Sequence, residues 1–213
     1  MEDKNKKGIK ETSRVEAFSD GVFAIAITLL ILDLIQVIKP EGDKELLKQL
    51  TDHSTAFLAF AIGFLTILIC WINHHLVFTY INKTDSHLMW VNGFVLLMVT
   101  ITPFATAILS EYFAKEKHIA LAIFGFNFFM MAIAAYCITA YVYNRRLINE
   151  DAKELFKRFI SIYRYSIIYT FLVFFICFLS VAGAIFFYFI LFIVFAYPKE
   201  FAERLYKRNR KKA

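Results

Sequence analysis

The sequence is short of every residue that would make it something other than a helical membrane protein. It has only seven Gly and three Pro in 213 residues, too few for the many turns of an all-β protein. Its apolar runs do not alternate with polar residues, which excludes the strands of a membrane barrel. There are three cysteines, Cys70, Cys137 and Cys177, all inside apolar runs; they have neither metal-site spacing nor the pattern of a disulfide framework. There is no H-E-x-x-H, no G-x-S-x-G, no P-loop and no Gly-rich dinucleotide turn, so no catalytic constellation is supported and no cofactor or metal is expected. No internal repeat is evident.

What is present is apolar bulk. Hydrophobic residues make up 59% of the chain and aromatic residues 18%, with 25 Phe, well above the roughly 45–50% apolar content of a soluble domain. The excess falls into long runs separated by short polar clusters, as in an all-α integral membrane protein. Net charge is +6. The basic residues flank the apolar runs, so they report topology and lipid contact, not nucleic-acid binding.

The runs predict six transmembrane helices: about 14–38, 54–80, 88–110, 119–143, 163–181 and 184–197. Residues 1–13 form a cytoplasmic arm, 14–197 a single six-helix transmembrane domain, and 198–213 a basic cytoplasmic tail. The first run is too long for a signal-peptide core and no A-x-A-like site follows, so it is expected to be retained. Pro40 and Gly42 end helix one, and Lys44 to Leu50 suits a short surface helix. Pro103 removes a backbone donor and predicts a kink in the third span. Residues 144–164 carry apolar residues at helical spacing among charges, as an interfacial helix or as an extension of the next span. The stretch Tyr165–Tyr197 is 33 residues long, and Gly183 between two alanines is its natural break; the alternative is one long tilted helix and five spans. With six spans, nineteen of the 24 Lys and Arg fall in inner segments and five in outer loops. That places both termini in the cytoplasm.

The richest stretch is Arg14–Gln36, RVEAFSDGVFAIAITLLILDLIQ, in which an ionic head runs into an apolar helix. Charges at the start of a membrane helix need partners. Asp20 has candidates in Arg14, Ser19, Trp71, His74 or His75, and Asn92. Two roles stay open for such a cluster: a structural network holding helix one, or direct handling of ions or protons. At 100° per residue, Arg14, Phe18, Gly21, Ile25, Thr28, Leu32 and Gln36 share a face. Ala17, Gly21, Ala24 and Thr28 are small and allow another helix to approach. By residue type, the Ile25–Thr28–Leu32 face suits an ordinary packed membrane helix as well as a pore lining with an apolar constriction and a hydroxyl layer. Asp33 suits either an outer pore mouth or an interfacial carboxylate. His74 and His75 are adjacent, point about 100° apart and would not chelate one ion together.

Arg14-x-x-x-Phe18-Ser19-Asp20 at the head of a first membrane helix, continued by GVFAIAITLLILDL and followed by Trp71-x-x-His74, resembles the lysosomal/endosomal potassium channel family in its prokaryotic single-repeat branch. The resemblance implies a homotetramer whose first helices line a central pore that conducts cations and prefers potassium ions. The family lacks the T-V-G-Y-G carbonyl filter, and so does this chain. By position after Asp20, the resemblance carries a constriction to Ile25, a threonine layer to Thr28 and a further apolar layer to Leu32. It carries a polar cluster to Arg14, Ser19, Asp20, Trp71 and His74, and less firmly to Asn92. A single repeat implies a prokaryotic plasma membrane, with membrane lipids and three further copies as partners. The alternative is a proton- or cation-coupled secondary transporter using Asp20 and His74, although such carriers usually show internal repeats.

Overall fold

The computed structural model describes residues 2–37 and 46–196, and nearly all of them are helical. The elements are α1 (Glu2–Val37), α2 (Leu46–Asp52), α3 (Ser54–Thr79), α4 (Ser86–Asn144), a single 3-10 turn (Glu150–Ala152), α5 (Lys153–Leu179) and α6 (Val181–Ala196). Four helices are long and apolar enough to cross a membrane, and α6 is a shorter apolar helix. The expected Pro40–Gly42 stop and the basic tail lie outside the described residues.

The helix opening the chain starts earlier than the apolar run. Residues 2–13, read from the sequence as an arm, are helical and continuous with α1. The surface helix expected at Lys44–Leu50 appears as α2, starting at Leu46.

The third and fourth expected spans are one helix by hydrogen bonding. The expected loop 111–118 is helical, and α4 leaves helical geometry at Glu116 (φ −133°, ψ 49°). The departure at Glu116 falls within the segment 111–118 expected to separate the two spans, while Pro103 lies inside the helix without leaving helical geometry. Unbroken, 59 residues would reach about 88 Å, far beyond the roughly 30 Å apolar core of a bilayer. Instead the two halves double back on each other. Asn127 Nδ2 donates to Thr102 Oγ1 at 2.9 Å, and the Tyr141 hydroxyl reaches both oxygens of Asp85 at 2.8 and 2.9 Å. The break falls where the sequence turns polar, because there the chain emerges from the apolar layer.

The α5–α6 break is also displaced. It lies at Ser180 (φ −150°, ψ 110°) and not at Gly183. Ser180 is a better helix starter: its Oγ accepts from the Gly183 amide at 3.1 Å, the reach of an N-cap side chain to the third helical residue. Gly183 lies inside α6. The chain then returns along α5, with Tyr163 stacked on Phe195 at 5.6 Å and the Tyr169 hydroxyl donating to the Phe187 carbonyl. Of the two readings of residues 144–164, the extension is the one seen: α5 runs without a break from Lys153 into the apolar span.

One end of the bundle is tied by short turns. Ile81 pairs with Ile148, through Asn82 N to Leu147 O at 2.9 Å and Asn149 N to Tyr80 O at 3.2 Å. Arg146 adopts φ 54° to make the turn after α4. The α1, α3 and α4 helices close together around Phe23, Ala26, Leu30, Ile67, Leu96 and Val99. Gly63 lets them approach, since a Cβ there would lie 2.6 Å from Thr106 Oγ1 and 3.1 Å from a Leu30 methyl.

Candidate functional site

The two sides of α1 are chemically different environments. Ser19, Phe23, Ala26, Leu30 and Leu34 recur every three or four residues and are buried against α3 and α4, the spacing of one helical face. The opposite side is largely exposed, without close packing against the other described residues. Phe18 is 67% exposed, Ile25 61% and Leu32 48%; Arg14, Ala17, Ala24 and Thr28 are also exposed, and a Cβ at Gly21 would meet no atom within 4 Å. The Thr28 hydroxyl donates to the Ile25 carbonyl at 2.8 Å, which leaves its oxygen lone pairs open. The structure thus groups Ile25, Thr28 and Leu32 on one unpacked face.

A chain of polar side chains joins α1 to α3 and α4 on the packed side. The Ser19 hydroxyl donates to the Val15 carbonyl at 2.8 Å and accepts from Asn92 Nδ2 at 2.9 Å. The Asn92 carbonyl oxygen lies 2.8 Å from His74 Nε2. Since Asn92 Oδ1 can only accept, the ring proton sits on Nε2. The His74 ring lies against Phe78 at 4.3 Å and Phe23 at 5.2 Å. Beside this chain, Trp71 Nε1 donates to Asp20 Oδ1 at 2.8 Å.

Five of the six residues expected in the cluster therefore meet: Ser19, Asp20, Trp71, His74 and Asn92. Arg14 does not join them; it is exposed, and no hydrogen bond or ion pair links it to another described residue. The physical reason is helical phase: Arg14 shares the open face with Ile25, away from α3. Asn92 holds the centre of the chain with two bonds. Asp33 lies about 100° around α1 from Leu32, half-buried and within electrostatic reach of Glu111 on α4.

Sequence reasoning missed a companion contact: His75 Nδ1 lies 3.2 Å from Glu16 Oε1, and the His75 ring stacks on Trp71 at 5.7 Å. A signal existed. Glu16 and Asp20 are four apart, as are Trp71 and His75, so antiparallel packing of α1 on α3 that pairs Asp20 with Trp71 also pairs Glu16 with His75. The Asp85 cluster was missed as well. Asp85 caps α4 by accepting from Leu88 N at 2.8 Å and pairs with Arg145 at 3.9 Å. Burial alone would raise its carboxyl; the Leu88 amide, the Tyr141 hydroxyl and the charges of Arg145 and His87 outweigh that and hold it below the usual carboxylate range.

Exposed apolar side chains occur on α3, α4, α5 and α6 as well as on α1, as expected of a membrane bundle, and comparison with known proteins defines its class. Residues 14–103 match the model of the endosomal/lysosomal potassium channel TMEM175. The chain is 45% identical over 128 residues to a potassium channel of Streptomyces collinus, covering 59% of this chain and 62% of that one. It is 34% identical over 157 residues to a potassium channel of a Chryseobacterium, covering 71% and 78%. The chicken endosomal/lysosomal proton channel TMEM175 is 38% identical over 112 residues, 49% of this chain and 22% of that longer protein. Among solved structures, a lysosomal potassium-selective channel TMEM175 homolog from Chamaesiphon minutus superposes with a TM-score of 0.77 at 33% identity, over 89% of this chain and 98% of that one. The chain belongs to the TMEM175 potassium channel family, a family of ion channels and not of enzymes.

Proposed function

We propose that this chain is the subunit of a potassium-permeable cation channel, in which four copies bring their open α1 faces around a central axis. The observation that carries the reading is that face itself. The exposed Ile25 and Leu32 leave that face free to meet lipid or a second copy, and membership of a potassium channel family favours the second copy. Gly21 and its small neighbours permit close approach of a second copy. In this arrangement Ile25 forms the narrow apolar constriction, Thr28 a layer of hydroxyl oxygens, and Leu32 a second apolar layer, with no carbonyl filter. Potassium sheds its water more cheaply than sodium, so a neck that forces partial dehydration favours potassium. Ser19, Asp20, Trp71, His74 and Asn92 act as the clamp that sets the rotation of α1. Arg14 stands at the inner mouth, and Asp33 contributes negative field near the outer rim, turned toward Glu111. The topology is six spans, two of them from α4 and the short sixth from α6, with both termini cytoplasmic in a prokaryotic plasma membrane.

The carrier reading needs Asp20 and His74 free to take up and release a proton. One Asp20 oxygen accepts from Trp71 and His74 Nε2 donates to Asn92, contacts that fit the clamp, while His74 Nδ1 has no partner among the described residues and leaves the two readings to the test. The test is reconstitution in liposomes with opposed potassium and sodium gradients. The native chain is expected to give reversal potentials toward the potassium value, and Ile25→Ala and Leu32→Asn to move them toward zero. Unchanged reversal potentials in both variants would sink the constriction. A monomer after gentle detergent extraction would remove the central pore.

A further inference from the structure

A cavity of about 80 Å³ lies between α3, α4, α5 and α6, partly open at the subunit surface, with His74 among its lining residues. It is separate from the α1 face. Most of its lining is apolar, including Ile69, Val95, Phe128 and Leu191, and it holds no Asp, Glu, Lys or Arg. A fully charged ligand would lose its hydration there without compensation.

The polar groups in the wall are all committed in one direction. Asn73 Nδ2 gives its hydrogens to the Ile69 and Phe195 carbonyls, and the Tyr163 hydroxyl gives its own to Asn73 Oδ1. The hydroxyls of Thr66, Thr139 and Thr170 each donate to a carbonyl four residues back. The only uncommitted hydrogen is the weakly donating thiol of Cys70, for which no bond is present among the described residues. On the acceptor side one group stands out. His74 is 5% exposed, its single ring proton is committed to Asn92, and its buried Nδ1 has no hydrogen-bond partner among the described residues. A neutral imidazole nitrogen without its proton is an acceptor, and leaving one buried and unmatched is unfavourable.

We infer that this cavity is a binding site for a small, uncharged, mostly apolar molecule carrying one hydrogen-bond donor, in the class of the short-chain alcohols, which donates to His74 Nδ1. Size and chemistry agree. By this measure of volume one water needs about 10–15 Å³, and an apolar cavity of roughly 150 Å³ takes benzene; 80 Å³ suits a three- or four-carbon chain. A wall that offers acceptors and no strong donor selects a donor over an anion or a carbonyl compound of equal size. Water filling so apolar a cavity would find too few partners. Through the chain His74–Asn92–Ser19 the occupant touches the residue that orients α1, so its binding is felt at the open face. The site itself stands whether or not the chain conducts.

The experiment is nitrogen NMR of the full chain, labelled with [15N]histidine, in detergent, with the His74 signal assigned by its loss in His74→Gln. Titration with 1-propanol is expected to shift the Nδ1 resonance saturably, and 1-chloropropane, which matches its bulk but cannot donate, is expected to leave it in place. Ala135→Leu, which fills the cavity from α4, is expected to weaken the propanol response by roughly tenfold or more; Ala132→Val is the second filling variant if the first does not fold. A shift that never saturates, an equal response to both probes, an equal response in the filled variant, or no response in the native chain would each overturn the proposal.

Discussion

The two faces of α1 are alike in composition and opposite in circumstance. One presents Phe23, Ala26, Leu30 and Leu34 to α3 and α4, all at most 7% exposed. The other presents Ile25, Leu32 and Ile35, at 61%, 48% and 62% exposure. Hydrophobicity does not separate them, because lipid, protein and a narrow pore all accept Ile and Leu. The separating feature is polar: Ser19 lies on the packed side, and its bonds to Asn92 and through it to His74 hold that side inward. In a membrane, where apolar contact gives little orientational preference, a few hydrogen bonds decide which stripe of a uniformly apolar helix is buried.

Substitutions on the two faces should therefore part company. Phe23→Ala, at the centre of the packed side, is expected to lower stability by about 3 kcal/mol or more through the cavity it leaves, read from unfolding in detergent. A loss under half a kcal/mol would mean that the face is not a packed core.

Asn92→Ala tests the polar bolt between the faces. It strands the His74 Nε2 hydrogen, leaves the Ser19 hydroxyl only its bond to the Val15 carbonyl, and is expected to cost about 1–3 kcal/mol. Trp71→Phe removes only the bond to Asp20 and should cost less. If Asn92→Ala costs nothing, rotation of α1 is set by packing alone.

Asp85→Asn probes the end of the bundle beside Thr12, which shares a hydroxyl contact with Thr84. Asn can still cap α4, but losing the charge weakens the bonds to Tyr141 and Arg145 and is expected to cost about 0.5–1.5 kcal/mol at neutral pH. The folded carboxyl lies below its unfolded value of about 3.9. Its contribution is thus fully present above about pH 4 and fades as pH falls through the folded value. Native and variant stabilities should therefore converge in acid, and a constant gap down to low pH would contradict the charge-based account.

Ile25→Ala is expected to do least to the fold of the subunit, within about 0.5 kcal/mol as for an exposed position, while shifting ion preference in liposomes. A large loss of subunit stability would show that this face is packed after all.

Much of the fold was legible because bilayer thickness and helical rise convert run lengths into spans. Helix α3 appears over Ser54–Thr79 nearly as its apolar run suggests. The sequence was less informative where helices end. Ser180, not Gly183, opens α6, because a side-chain cap is worth more there than the freedom of a glycine in a turn that needs no positive φ. Pro103 was expected to kink its span and does not leave helical geometry, whereas the reversal at Glu116 falls inside the polar segment 111–118 where the sequence placed it. The clamp was legible as residue types in search of partners, and five of its members do meet. Arg14 was grouped with them by nearness in sequence, but helical phase turns it to the other face. The His74 cavity had no sequence signal at all, since its wall comes from four helices.

What the sequence alone determined is the kind of object: an all-helical membrane protein whose first helix carries an ionic head, a stripe of small residues and two apolar faces. Run length, composition and helical period are local quantities, and they are enough for that. Which face is buried, which nitrogen of His74 is left without a partner and where α5 gives way to α6 were decided by tertiary structure. Each depends on which polar atoms come within about 3 Å of one another, and those atoms belong to residues up to 122 positions apart, as between Asn73 and Phe195.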